Sequence, residues 1–177
     1  MFESAQPDLF PDVPQRAFSE DKDERYTLPE TLEWARQVAN VDAWDLDVAA
    51  CEEAHVCERY YTATDNGLLL PWQGRVWCNP PYSDIWSWIE KSWEEMNSGR
   101  AKVVAMLIPG NRTEQPGWQG LVEPFRDGRG SGRVSLTTHY PSGRQQFGSP
   151  GNPLGVGAGS PPFTCVLLVW RHSSTPR

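Results

Sequence analysis

The chain has 177 residues, 38% of them hydrophobic and 22% charged, with a formal net charge of −7; it fits one domain and is long enough to bury a real core. That balance argues against a protein that coats nucleic acid, and the longest apolar runs, Val103 to Ile108 and Cys165 to Trp170, fall far short of a membrane span. The first residues lack a basic start followed by an apolar run, so no secretory signal is read and the expected compartment is the cytoplasm.

Residues 1–23 are polar, acidic and interrupted by proline, and read as an N-terminal tail. The folded domain is expected over 24–171, with 172–177 as a short C-terminal tail. Pro29 suits the first position of a helix in which Leu32, Ala35, Val38 and Ala39 share one face. Trp44 to Ala50 reads as a short strand ending in small residues, and Arg59 to Thr62 as a second, followed by an Asp65-Asn66-Gly67 turn. Gly74 to Cys78 is a third strand, running directly into Asn79-Pro80-Pro81-Tyr82. Asp84 is placed to cap the next helix, whose inner face is Ile85, Trp88, Ile89, Ser92 and Met96, with Gly99 at its end.

Lys102 to Ile108 is continuously apolar, as a strand covered on both faces would be. Residues 109–120 read as a loop, Arg133 to Thr138 as a strand, 141–162 as a long Gly-, Pro- and Ser-rich loop, and Phe163 to Trp170 as the last strand. Strands alternating with helices indicate an α/β fold with a mostly parallel central sheet and flanking helices. Nine Trp is unusual for this length, and some rings are expected to line a cleft.

The most informative feature is the strand that ends in Asn79-Pro80-Pro81-Tyr82. Ligands of open α/β sheets bind beyond the carboxyl ends of strands. Two consecutive prolines stiffen the backbone and remove two N–H donors. Carbonyl oxygens and the Asn79 amide oxygen remain, an acceptor-rich pocket suited to an amine. An adenine N6 amine is a poor nucleophile because its lone pair is delocalised into the ring. Hydrogen bonds from it to Asn79 and to the Pro80 carbonyl concentrate electron density on nitrogen, through preorganised acceptors rather than a covalent intermediate. Tyr82 is placed to stack on a base that has left the duplex. Taken alone, the tetrapeptide is also an ordinary turn; its setting between an apolar strand and an amphipathic helix favours the chemical reading.

With these blocks in order, the chain resembles the small phage-type DNA N6-adenine methyltransferases, the phage Dam-like family, from about Arg25 to Arg171. The resemblance rests on Arg25-Tyr26-Thr27-Leu28-Pro29, Asp45 to Ala50, Arg59 to Thr62 with Asp65 to Leu68, and Val76 to Ser83. Ile108-Pro109 with Arg112-Thr113 and Trp118, and Pro162-Phe163 with Val166 to Trp170, complete it. It implies a trimmed Rossmann-like methyltransferase fold, S-adenosylmethionine as cofactor, double-stranded DNA as partner, and Asn79, Pro80, Pro81 and Tyr82 as the catalytic block. It also implies that Tyr26 and Thr27 lie against the cofactor.

Ala49 and Ala50 stand where larger methyltransferases carry glycine, and are small enough to let a cofactor approach the backbone. Asp47 either borders the methionine end of the cofactor or is a polar strand-end residue. Asp65 either contacts the cofactor adenine or only shapes its turn. Asp47 and Asn79 lie 32 positions apart, too few for full crossover helices, so the sheet is expected to be trimmed on that side. No separate target-recognition domain fits, and base-sequence specificity is assigned to residues 109–120 and 139–162.

Residues 1–99 hold 7 of the 16 Lys and Arg and 20 of the 23 Asp and Glu. The C-terminal part is therefore basic, either as a phosphate-contacting face or as a partner for the acidic half. Arg112, Arg126, Arg129, Arg133 and Arg144 are the candidates for phosphate contacts. The four cysteines, 51, 57, 78 and 165, are expected to be reduced thiols. Cys51, His55 and Cys57 do not have a common zinc spacing, so no metal is expected, nor is an obligatory protein partner. Two alternatives remain open on residues alone. One is methylation of another amine or amide: cytosine N4, an RNA base or a protein glutamine. The other is a non-catalytic DNA-binding decoy that keeps the fold.

Overall fold

A computed structural model describes residues 25–173; the N-terminal tail read over 1–23 and the last four residues lie outside the described residues. Strand β1 (Tyr26–Thr27) leads into helix α1 (Pro29–Ala39). Pro29 stands at the first helical position. Asn40 stops the helix in the left-handed region (φ 45°), its N–H bonding to the Gln37 carbonyl. Thr31, Ala35 and Ala39 are buried, and Leu32 and Val38 pack against the core beside them.

Strand β2 is only Leu46–Asp47, shorter than the run from Trp44 to Ala50 suggests. The Asp47 carboxylate accepts the Ala49 N–H (3.3 Å) and turns the chain away. The expected strand at 59–62 survives as an extended segment along β2. Asp47 N–H bonds to the Arg59 carbonyl (3.0 Å) and Tyr61 N–H to the Asp47 carbonyl (2.8 Å), in parallel orientation. Strand β3 (Gly74–Cys78) and helix α2 (Ile85–Asn97) fall where the pattern places them. Ile85, Trp88, Ile89, Ser92 and Met96 are buried, together with Glu95, which pairs with Lys91 and Arg100. Asp84 occupies the capping position, but its carboxylate accepts the Ser87 hydroxyl (2.8 Å) instead of a backbone N–H.

Strand β4 (Ala101–Pro109) is followed by a short helix α3 (Pro116–Leu121) within the stretch read as loop. Pro116 opens it, and the Trp118 indole anchors it by donating to Glu123 (2.9 Å). Strand β5 (Val134–His139), a two-residue strand β6 (Phe147–Gly148) inside the Gly/Pro-rich stretch, and strand β7 (Cys165–His172) complete the chain.

The main sheet has the order β2-β3-β4-β7-β5, and a separate ribbon pairs β1 with β6. The expectation of a mostly parallel sheet is corrected here. β2–β3 and β3–β4 pair in parallel, whereas β4–β7 and β5–β7 pair antiparallel over the longer ladders. The cause is the connection before β7. β5 ends at the same edge of the sheet as β4, and residues 140–164 stay at that edge without a crossover helix. Cys165 then enters opposite Pro109, so β7 must run backwards. From Val104 to Ile108 and from Cys165 to Trp170 every side chain is buried, with both faces of the sheet covered. As a result the segments following β3, β4 and β5 all emerge at one edge. No helix among the described residues is long and apolar enough to cross a membrane.

Candidate active site

A cavity of about 360 Å³ opens at that edge, at the carboxyl ends of β2 and β3. Its size lies in the range of small-molecule pockets, roughly 300–1,000 Å³. Asn79 and Pro81 form one part of its wall, and Asp47 to Cys51 another. Trp77 and Trp88 are among its lining residues, so part of the tryptophan excess does border a cleft.

Asn79 is held by both amide hydrogens. Its Nδ2 donates to the Arg25 carbonyl (2.6 Å) and to Thr27 Oγ1 (3.1 Å). Its Oδ1 is buried and has no hydrogen-bond partner among the described residues. Leaving an acceptor buried and unpaired costs about 1–3 kcal/mol, a cost that a bound donor removes. Pro80 is buried and Pro81 half-buried, and the Pro81 carbonyl accepts the Asp84 N–H (3.3 Å). Tyr82 is buried, with Phe147 and Phe163 edge-on to its ring at centroid distances of 6.3 and 5.8 Å. Burial pushes its phenol well above the usual tyrosine range.

Tyr26 is buried and donates its hydroxyl to Glu53 Oε2 (3.1 Å), while Glu53 Oε1 accepts the Gly151 N–H (3.2 Å). One carboxylate thus ties β1 and the loop after β6 to the segment after β2. Pro153 and Leu154 of that loop reach the cavity. Asp47 is buried in the wall, accepting N–H groups of Ala49 (3.3 Å) and Val56 (3.2 Å). Desolvation pushes its carboxyl up to about 7, opposed by those two bonds and by His55. Ala49 and Ala50 line the cavity with small side chains.

Asp65 stands differently. Its exposed carboxylate accepts the Thr62 N–H (2.8 Å) and hydroxyl (2.8 Å) and shapes the turn, while Thr62, Ala63, Asn66 and Gly67 form the wall beside it. The Thr62 bonds hold that carboxyl below its ordinary value. Gly67 is required by space, because a Cβ there would lie 2.2 Å from the Val48 carbonyl oxygen.

The arginines divide by topology. Arg112 follows β4 and Arg144 follows β5, both at the edge that holds Asn79. Arg133 precedes β5, at the opposite edge, where its carbonyl accepts the Ser173 N–H (2.8 Å). Arg126 is paired with Glu123 and Asp127, and Arg129 with Glu123. Cys51, Cys57, Cys78 and Cys165 are free thiols, and no three His, Cys, Asp or Glu side chains among the described residues converge as a metal site.

Sequence reasoning missed Glu53; it placed Phe147, Pro153 and Leu154 in the 139–162 stretch assigned to base-sequence specificity and Phe163 in the closing strand, not beside Tyr82 or the cavity.

The arrangement presents a fixed, unpaired acceptor at a strand end beside a cavity with a carboxylate and small residues. A model of the DNA N-6-adenine-methyltransferase (Dam) family matches residues 16–122. The chain belongs to that family. It is also similar to a DNA N-6-adenine-methyltransferase of Escherichia phage T1, 38% identical over 73 residues. That match spans 40% of this chain and 29% of the phage protein, so the chain covers less than a third of that relative's length. The family match takes in Asn79 to Tyr82, the Asp47 strand end and the Asn66-Gly67 turn.

Proposed function

We propose that this member of the Dam family transfers a methyl group from S-adenosylmethionine to N6 of adenine in double-stranded DNA, with the target base flipped out of the duplex. The observation that carries the reading is the Asn79 amide. Both its hydrogens are consumed by Arg25 and Thr27, and its oxygen is buried without a donor. Such an oxygen calls for an N–H, and an exocyclic amine supplies two.

S-adenosylmethionine would supply an electrophilic methyl on a sulfonium. The cavity fits such a cofactor, because Ala49, Ala50 and Gly67 keep the backbone accessible and Asp47 offers a carboxylate to a cationic amino acid end. Tyr26, Thr27, Asp47 and Ala49 would hold it, and Asp65 would act indirectly by shaping the 62–67 wall. The acceptors of the amine are Asn79 Oδ1 and the Pro80 carbonyl, on a backbone that Pro80 and Pro81 keep rigid. Held by these acceptors, the N6 hydrogens can leave conjugation with the ring as the nitrogen pyramidalises, which lets its lone pair face the methyl, and the acceptors disperse the positive charge that grows on nitrogen until one of its protons is lost. Tyr82 contributes an aromatic wall. Arg112 and Arg144, at the same edge, are the arginines positioned for the DNA backbone, ahead of Arg126, Arg129 and Arg133. In fold terms the reading is a trimmed Rossmann-like methyltransferase, one domain over 24–171, with residues 59–61 completing the sheet beside β2. A phage-encoded enzyme of this kind would act in the host cytoplasm.

The test is transfer of labelled methyl groups to unmethylated DNA, followed by nucleoside analysis. N6-methyladenine is the expected product. Label on cytosine, on RNA or on protein glutamine would replace the substrate. Cofactor binding with no transfer to any acceptor would leave a DNA-binding decoy. Asn79→Ala should lower the transfer rate by about 10²–10³-fold or more, the scale of losing one preorganised electrostatic contact, with cofactor affinity changed only a few-fold. A near-normal rate in that variant would remove Asn79 from the mechanism.

A further inference from the structure

The aromatic wall assigned to the target base is already occupied. Tyr82 and Phe163 meet at 73° with centroids 5.8 Å apart, forming a corner. The guanidinium of Arg25 sits in it, its Cζ 5.0 Å from the Tyr82 centroid and 5.7 Å from that of Phe163. The cavity wall accordingly includes Arg25, Asn79 and Pro81 but neither Tyr82 nor Phe163. Arg25 is also the residue whose main-chain carbonyl holds the Asn79 amide.

We propose that the Arg25 side chain is a stand-in for the target base: it fills the base subsite of the DNA-free protein and must withdraw before adenine stacks on Tyr82. The inference rests on the reading of Tyr82 as the wall for a flipped base. A guanidinium suits this role because it is planar, delocalised and weakly hydrated, and packs against an aromatic face as a base does. It keeps the corner from being an open apolar hole, yet the contact it makes is of the same order as base–aromatic stacking. A cation expelled towards DNA meets phosphate. The Asn79 anchor is a main-chain carbonyl, so the side chain can swing while the acceptor geometry stays in place.

The experiment is equilibrium binding of 2′-deoxyadenosine to the full chain, with quenching of 2-aminopurine deoxyriboside fluorescence as a second readout. Removing the competitor in Arg25→Ala should tighten nucleoside binding about tenfold, the scale of one shielded cation–π contact. Adding Tyr82→Ala should abolish the gain and the quenching. Arg25→Lys, which keeps charge but not the plane, should show a smaller gain, and carries the test alone should Arg25→Ala fail to fold. Unchanged or weaker nucleoside binding in the Arg25 variants overturns the proposal. The labelled-methyl assay on unaltered protein separates the two readings. Adenine methylation without the gain rejects the stand-in and keeps the function. The gain without transfer keeps Arg25 in the corner and rejects the enzyme.

Discussion

The middle of the sheet and its carboxyl edge differ in how much polarity they enclose. Along β4 and β7 the side chains from Val104 to Ile108 and from Cys165 to Trp170 are fully enclosed, and the backbones pair over seven residues from Val103 to Pro109. At the edge, Asn79 Oδ1, Tyr82 Oη and Trp88 Nε1 are buried without hydrogen-bond partners among the described residues, against Trp170 Nε1 on the two core strands. Such groups are costly to a fold. The core gains free energy by burying apolar surface, and the edge gives some of it up to hold polar atoms ready for a ligand.

The contrast can be broken from the core side first. Leu168 is fully buried between β4 and β5. Leu168→Ala should cost about 2–5 kcal/mol of stability, the range for buried leucine truncations, measured by urea denaturation. Activity per folded molecule should hold. A large loss of turnover at unchanged stability would mean that the core and the edge are not separable.

A smaller effect is expected at the wall. Gly67→Ala forces the Val48 carbonyl or the 62–67 turn to move, because its Cβ would lie 2.2 Å from that oxygen. Overpacking of this kind costs about 1–3 kcal/mol. It should appear as roughly tenfold or greater weakening of cofactor binding in calorimetry, with a modest fall in Tm. Normal affinity would place the cofactor elsewhere.

The smallest change sharpens the comparison by pH. Asp47 is held at about 7 in the folded protein against an ordinary value of 3.8. Between about pH 4 and 7 the unfolded chain releases a proton that the folded chain retains. The stability it contributes is therefore full below pH 4 and lost as pH rises through 7. Asp47→Asn should flatten that slope in Tm measured across the window, and should weaken cofactor binding. An unaltered slope would show that Asp47 is not the titrating group.

Local pattern carried much of the fold. The strand 74–78, the helix 85–97 with its buried face, and the apolar strands around 101–109 and 165–172 follow from hydrophobic period and length. The short helix at 116–121 was hidden because its six residues include two glycine or proline positions at its start and a further glycine inside. The β1–β6 ribbon was hidden because its strands are two residues long and lie over a hundred positions apart. The direction of β7 could not be read either, since an apolar run looks the same whichever way it enters a sheet.

By itself the sequence determined which residues are apolar, where the two longer helices begin, and that a rigid, acceptor-rich tetrapeptide follows a strand. Those are properties of neighbours along the chain. Tertiary structure alone decided that Thr27 and the Arg25 carbonyl consume both hydrogens of Asn79, that Glu53 joins Tyr26 to Gly151, and that Arg25 stands before Tyr82. Each of those contacts spans more than twenty-five positions, and its geometry exists only once hydrophobic burial has brought distant segments to one edge of the sheet.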